Sequence, residues 1–422
     1  MSEIVRQSIA PDVNLSVLTT GKFKTSVLSL SLLRPLSREE ASLSALVPPV
    51  LCRGTSRYPD MAALSARLEE LYGARLEPAA RKKGEIQCAG FVSDFIDGAY
   101  LPGHPDQLRA VAELLGEMLL NPAGGGRFVP DYVEAERGQL ADQIAAAKND
   151  KRAYASHRLL ELMCADEAYG VNRLGDEARA RAIPPDRLWE HYRDMLASSR
   201  VELLYIGPRS AGQVAETLSG ALSGLPRRVP ALRVGTDVIR SAAGPIRHFE
   251  ESMDVEQGKL AMGARLGVSA ADPAYPAALL AVEVFGGTTV SKLFLHVREH
   301  LQLCYYASAH MEALKGLMIV SSGIDFQKRE AAEQEISRQW EAICRGEITD
   351  EELSAARLSL ISQLRASVDQ PHRMEDYYLG QMAAGLSDSP DALASRLEAV
   401  TADQTAGAAR AATWDSVYFL HG

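Results

Sequence analysis

The stretch VFGGTTVSKLFLHVREHLQLCYYA, residues 284–307, contains at 296–300 the letters H-V-R-E-H, a literal match to the H-x-x-E-H zinc-protease pattern. What those letters mean depends on their place in a repeat, and the same stretch exposes that repeat. Thr288 lies 233 residues after Thr55 of VLCRGT (50–55). At that one offset Leu68 falls on Leu301, Tyr72 on Tyr305 and Ala74 on Ala307, so LEELYGA (68–74) answers to LQLCYYA (301–307). Motifs that keep step over such a distance indicate two homologous halves.

Working outward, SVLSLSLL (26–33) falls on KLAMGARL (259–266), and both suit strands; in the first, Leu28, Leu30 and Leu32 alternate with serines. KKGEIQCAGFV (82–92) resembles LKGLMIVSSGI (314–324), as the second arm of a hairpin would. RVELLYIG, ending at Gly207, resembles DSVYFLHG, ending at Gly422, and each follows a helical segment. Each half thus reads as strand, helix, short helix, hairpin, long helices and final strand. The fold class is α+β: two related domains, each a mostly antiparallel sheet covered by helices on one side. Prolines and a glycine in LPRRVPALRVGTD (225–237) interrupt any periodicity, which places domains at 1–225 and 239–422 with a linker at 226–238.

Composition narrows the function. The chain has 422 residues, a net charge of −10, no long charge blocks and no stretch approaching the ~18 apolar residues of a membrane span. No basic stripe and no phosphate-binding loop is present, so nucleic acid and nucleotide are not expected partners. The N-terminus lacks an apolar core behind a basic start, and five cysteines without a C-x-x-C pair fit reduced thiols; a cytoplasmic protein is expected. GGG at 124–126 reads as a flexible turn, and His157 and His191 lack partners at ligand spacing.

The residues VLCRGTSRYPDMAALSARLEELYGA (50–74), NPAGGGRFVPDYVEAERGQLADQI (121–144) and VFGGTTVSKLFLHVREHLQLCYY (284–306) resemble the insulinase-like (M16) metallopeptidase family in its short form with two homologous halves. The resemblance covers nearly the whole chain and implies a clam-shell of two domains. In active members an H-x-x-E-H helix lies just before the segment seen here as VLCRGT; its histidines and a later glutamate bind zinc, and its own glutamate activates water. Laid on this sequence, the pattern puts Ala45 and Pro49 at the histidines, Pro48 at the general base and Gln143 at the third ligand. None can serve, so no cofactor is expected in this chain. The doublet Pro48-Pro49 is expected to break or shorten the helix.

The chemistry could have been rebuilt at HVREH, where His296 and His300 share a helix face, Glu299 adjoins it, and Glu375 follows His300 by 75 residues, a separation that the resemblance makes suitable for a third ligand. The repeat argues otherwise: at the offset of 233, His296 answers to Ala63 and His300 to Arg67, one element beyond the metal helix. A solvated face with two ordinary histidines is the preferred reading.

The same stretch matches the family's second-half arginine and tyrosine at Arg298 and Tyr305, which the resemblance implies hold substrate backbone near the cleavage point. A guanidinium offers donors to carbonyls, and a phenol can donate to a developing oxyanion. The expected protein is a catalytically inactive M16 subunit that pairs, as a heterodimer, with an active zinc-containing homologue for peptide processing. A homodimer is the other assembly considered. The rival readings are a zinc peptidase using His296, Glu299, His300 and Glu375, and a non-catalytic peptide-binding scaffold. The resemblance is greatest to the non-catalytic bacterial branch, whose name links it to the aminopentanol modification of elongation factor P.

Overall fold

The computed structural model describes residues 4–422. In the first half β1 (Ile4–Ala10), β2 (Val13–Thr19) and β3 (Thr25–Pro35) precede α1 (Ala41–Leu51) and α2 (Met61–Glu70). The hairpin β4 (Arg75–Lys83) and β5 (Ile86–Ile96) follows, then α3 (Gln107–Leu120), α4 (Pro130–Ala146) and α5 (Lys151–Met163). Finally come α6 (Glu177–Arg181), α7 (Pro185–Ser198), β6 (Arg200–Gly207) and α8 (Ala211–Ala221).

The second half repeats the order. It runs β7 (Arg247–Ser252), β8 (Gly258–Arg265), α9 (Tyr275–Gly286), a wide helical turn (Leu293–His300), β9 (Cys304–Glu312) and β10 (Leu317–Ile324). Then come α10 (Arg329–Cys344), α11 (Asp350–Ser367), α12 (Pro371–Ala384), α13 (Pro390–Glu398), α14 (Ala402–Ala409) and β11 (Thr413–His421).

The sheets share a five-strand topology, β2-β6-β3-β5-β4 and β7-β11-β8-β10-β9, and the first adds β1 at the edge beside β2. Each contains one parallel pair, β2 with β6 and β11 with β7, and is otherwise antiparallel. Local sequence explains the elements. Helix α7 starts with Pro185 in its first turn and buries Leu188, His191, Tyr192, Met195 and Leu196, the i, i+3, i+4, i+7, i+8 stripe of a core-facing helix. Ser210 with Gln213 closes a capping box on α8, and Thr349 with Glu352 does so on α11.

The compact units do not follow the chain as two continuous blocks. One comprises the chain up to Ala146, Val171–Gly235 and Gln370–Gly385; the other comprises Ala147–Gly170, Thr236–Asp369 and Leu386–Gly422. Helix α12 therefore belongs to the first unit and α5 to the second. Each sheet carries most of its helices on one face and this one further helix on the other. In the second unit the alternation is visible residue by residue: Leu260, Met262, Met318 and Val320 join the larger core, whereas Ala261, Leu317, Ile319 and Tyr418 join a smaller one with Leu159 and Met163 of α5. Gly263 permits this approach, because a Cβ there would lie 2.6 Å from the Met163 sulfur.

In the first unit Leu28, Leu30 and Leu32 of β3 enter the main core as the alternation requires. The serines between them are buried as well, Ser29 at 2% and Ser31 at 3% exposure, since α12 lies against β3, β4 and β6 on that face. Ion pairs fasten it. Arg81 grips both oxygens of Glu375 at 2.5 and 2.8 Å, Lys83 meets Asp376 at 2.7 Å, and Arg200 donates to the Met382 carbonyl at 2.8 Å.

Candidate functional site

Ala45, Pro48 and Pro49, three of the positions that the resemblance marks for zinc chemistry, lie on α1, and that helix runs without a break through Pro48 and Pro49. The expected break is overturned. Two prolines deprive the Ser44 and Ala45 carbonyls of their usual donors, but packing outweighs the loss: Ala45, Leu46, Val47, Val50 and Leu51 are all in the main core. The Cys52 N–H closes the end of the helix on the carbonyls of Pro48 and Pro49, at 3.2 and 3.1 Å.

The same packing sets groups without a metal-binding atom on α1, and the later helix offers only a neutral amide, a poor zinc ligand. Ala45 is 2% exposed and Pro48 is buried, while Gln143 points to solvent from α4. The nearby carboxylates are engaged elsewhere, Glu136 with Arg53 and Asp142 with Arg181 at 2.8 Å. Behind α1, the Ser44 hydroxyl meets His191 Nε2 at 2.9 Å. Burial, helped by the positive charge of Arg34, pushes the His191 imidazole down to about 4. With Ser44 and His191 at 1% and 3% exposure, this pair is a core contact and not a nucleophile open to substrate.

In the second half HVREH does not form a regular α-helix. Residues Leu293–His300 wind as a π-helix, closed by hydrogen bonds from the Leu301 N–H to the His296 carbonyl (3.1 Å) and from the Leu303 N–H to the Val297 carbonyl (2.9 Å). His296 and His300 stack edge to face with ring centroids 5.5 Å apart. Partial burial, then the charge of Lys292, lowers the His296 pKa. Glu299 faces Arg298 at 3.5 Å. The candidate third ligand, Glu375, is 2% exposed and already holds Arg81 with both oxygens. Among the described residues no group of three His, Cys, Asp or Glu side chains is arranged to hold a metal ion.

Beside this turn lies an open cleft of about 400 Å³ whose wall includes Arg298, Glu299, Tyr305, Asp325 and Lys328. Strand pairing aims Tyr305 into it. Gly323 of β10 pairs with Tyr306, but the next residue, Ile324, pairs with Cys304, so Tyr305 is the extra residue of a β-bulge at the start of the edge strand β9. Bulges re-aim side chains in this way. The Tyr305 hydroxyl donates to Asp325 Oδ1 at 2.8 Å, and that contact raises the phenol pKa and lowers the carboxyl pKa. Lys328 meets the other Asp325 oxygen at 3.1 Å and donates to the Gln302 carbonyl at 3.0 Å. The Arg298 guanidinium lies 4.8 Å from the Phe294 ring centroid.

Arg298 and Tyr305, singled out by the resemblance, line one cleft together with Asp325 and Lys328, which no motif marked. Their signal was present as an acid and a base three residues apart directly after a strand. Nothing in that spacing named Tyr305 as their partner.

Residues 182–360 match the family model described as Peptidase M16 inactive domain. Over 407 residues the chain is 30% identical to the probable inactive metalloprotease YmfF of Bacillus subtilis (strain 168), spanning 96% of this chain and 95% of that protein. Among solved structures, a conserved protein from Enterococcus faecalis V583 matches with a TM-score of 0.90 at 25% identity, covering 100% of this chain and 99% of that one. A peptidase M16 inactive domain from Pseudomonas fluorescens shares the fold with a TM-score of 0.79 at 17% identity, over 99% of this chain and 98% of that one. With two α+β halves of one topology and a first-half site stripped of ligands, the chain belongs to the M16 (insulinase-like) peptidase family.

Proposed function

We propose that this chain is a non-catalytic subunit that works with an active, zinc-containing M16 homologue in peptide processing, presenting Arg298 and Tyr305 to the substrate. The observation that carries the reading is the bulge: an edge strand gives up a ladder position so that a tyrosine stands on the cleft wall it shares with Arg298. Such a departure from regular pairing is typical of a strand shaped for a site. Arg298 supplies a planar fork of donors suited to substrate carbonyls. The first-half positions Ala45, Pro48 and Pro49 carry no metal-binding atom and Gln143 only a neutral amide, a poor zinc ligand, so hydrolysis falls to the partner.

The test is reconstitution. This chain, a homologue with an intact H-x-x-E-H helix, and their mixture are assayed on unstructured peptides, and zinc is measured in each protein after purification without added metal. The expected result is a metal-free, inactive chain that copurifies with the homologue and raises its activity, with Arg298→Ala and Tyr305→Phe each reducing the activity of the pair. Unchanged activity in both variants would sink the substrate role. Stoichiometric zinc with hydrolysis by this chain alone would favour the HVREH peptidase.

A further inference from the structure

The wiring of the cleft carries the role of Tyr305 further, and this step rests on the reading above. A phenol has one proton to donate and lone pairs to accept with. The Tyr305 proton points at Asp325 Oδ1, 2.8 Å away. Asp325 keeps it there, because Lys328 at 3.1 Å favours the ionised carboxylate, which accepts only. Direction is fixed by structure: the bulge turns Tyr305 out of the ladder, and Asp325 stands directly after β10 at the start of the short turn Phe326–Lys328. Lys328 then ties that turn to the Gln302 carbonyl, just before β9. The cleft is also balanced in charge. Lys328 lies beside Asp325, and Arg298 lies 3.5 Å from Glu299, so an added ion would compete with an existing pair whereas a neutral polar group would not.

We propose that Asp325 is a positioning residue that accepts the phenol hydrogen bond of Tyr305, so that the cleft reads the uncharged backbone of one residue of an extended substrate, whose N–H and C=O point to the same side, the N–H against the Tyr305 oxygen and the C=O against the Arg298 guanidinium. Tyr305 then acts as an acceptor in the resting cleft, opposite to the oxyanion donor that residue type alone suggests. Substrate nitrogen, and not only substrate carbonyl, becomes part of recognition.

The test uses the full chain labelled with ¹³Cζ-tyrosine, with Tyr305→Phe identifying the Tyr305 signal. Two probes are titrated: N-acetylglycine N′-methylamide, and N-acetylsarcosine N′,N′-dimethylamide, which keeps the carbonyls and has no N–H. The expected result is a shift of the Tyr305 signal by the first probe at about fivefold lower concentration than by the second, the worth of one hydrogen bond. Asp325→Ala, on an exposed turn, should keep the melting temperature, lower the Tyr305 pKa towards the ordinary phenol value and abolish the preference, because the freed proton can then meet either carbonyl. Equal response to both probes in the natural protein, no response to either, or a preference that persists in Asp325→Ala would each overturn the proposal. The two readings fail separately: if Arg298→Ala and Tyr305→Phe weaken the reconstituted pair but Asp325→Ala leaves the preference unchanged, only this inference is lost.

Discussion

The two halves turn the same corner differently. In the first, α2 ends at Glu70, Tyr72 and Gly73 adopt left-handed backbone at φ 59° and 73°, and β4 begins at Arg75. In the second, Gln302 takes the left-handed position at φ 49° and β9 begins at Cys304. At the repeat offset Cys304 answers to Leu71, so the second strand begins earlier than its counterpart. Glycine accounts for the difference. Gly73 accepts the left-handed turn without a Cβ penalty, whereas Tyr306 occupies the matching position in the second half. Moving the turn back to Gln302 leaves Tyr305 inside the strand, where the bulge can aim it. Tyr72 and Tyr305 are therefore equivalent in sequence and different in setting, one in a left-handed turn and the other in a bulge.

The largest expected effect tests whether each unit depends on the helix contributed from the other half. Glu375→Ala would leave Arg81, 22% exposed at its side chain, without its bidentate partner. A loss of about 3 kcal/mol in urea unfolding is expected, because a mostly buried charge is left with only the longer 3.4 Å contact to Asp376. An unchanged midpoint would show that the Arg81–Glu375 pair does not hold α12 in place. Next comes an acid asymmetry between the units. His191 has a folded pKa of about 4 against an ordinary value near 6.5, so the unfolded chain binds a proton that the folded one refuses. Above that ordinary value both states are neutral and the term vanishes. As pH falls from about 6.5 to 4, roughly 3 kcal/mol of stability is lost from the first unit. Hydrogen exchange at pH 5 should show that unit opening before the other, and His191→Gln should flatten the pH dependence.

A smaller effect separates the two tyrosines directly. Tyr305→Phe should lower the activity of the reconstituted pair by about tenfold, the worth of a hydrogen bond in a site, while Tyr72→Phe should leave it within twofold. Equal losses would remove the distinction between the corners. The smallest effect concerns the backbone itself: Gly73→Ala should cost about 1 kcal/mol in thermal unfolding, while Gln302→Gly should change stability by less, since strain relief and added chain entropy oppose each other.

Much of the fold was legible. One offset found both halves, alternation found β3, and the closing strands were placed by their likeness. What escaped was partnership. The sequence of α12 records an amphipathic helix after a proline, but not that its sheet lies in the other half. Alternation in SVLSLSLL marks two faces without stating that both are covered. Pro48-Pro49 signalled a broken helix because local propensity ignores a helix interior that is almost wholly buried. For the cleft, a motif singled out Arg298 and Tyr305. Asp325 carried no such mark, because its contact with Tyr305 depends on a bulge set by pairing between β9 and β10.

The exchange of helices also constrains how the protein is made. The first sheet receives its last strand at Gly207, yet its covering helix ends at Ala384. At about 5–20 residues per second, translation leaves that face open for roughly ten to thirty seconds. In that interval Ser29, Ser31, Ser16 and Glu202, alternating with a few aliphatic side chains, meet water rather than α12. Small hydroxyls hydrate well and later permit close approach of the helix. The serine rhythm of β3 thus suits both lives of the sheet, first as an unfinished surface in the company of other nascent chains and then as an interior.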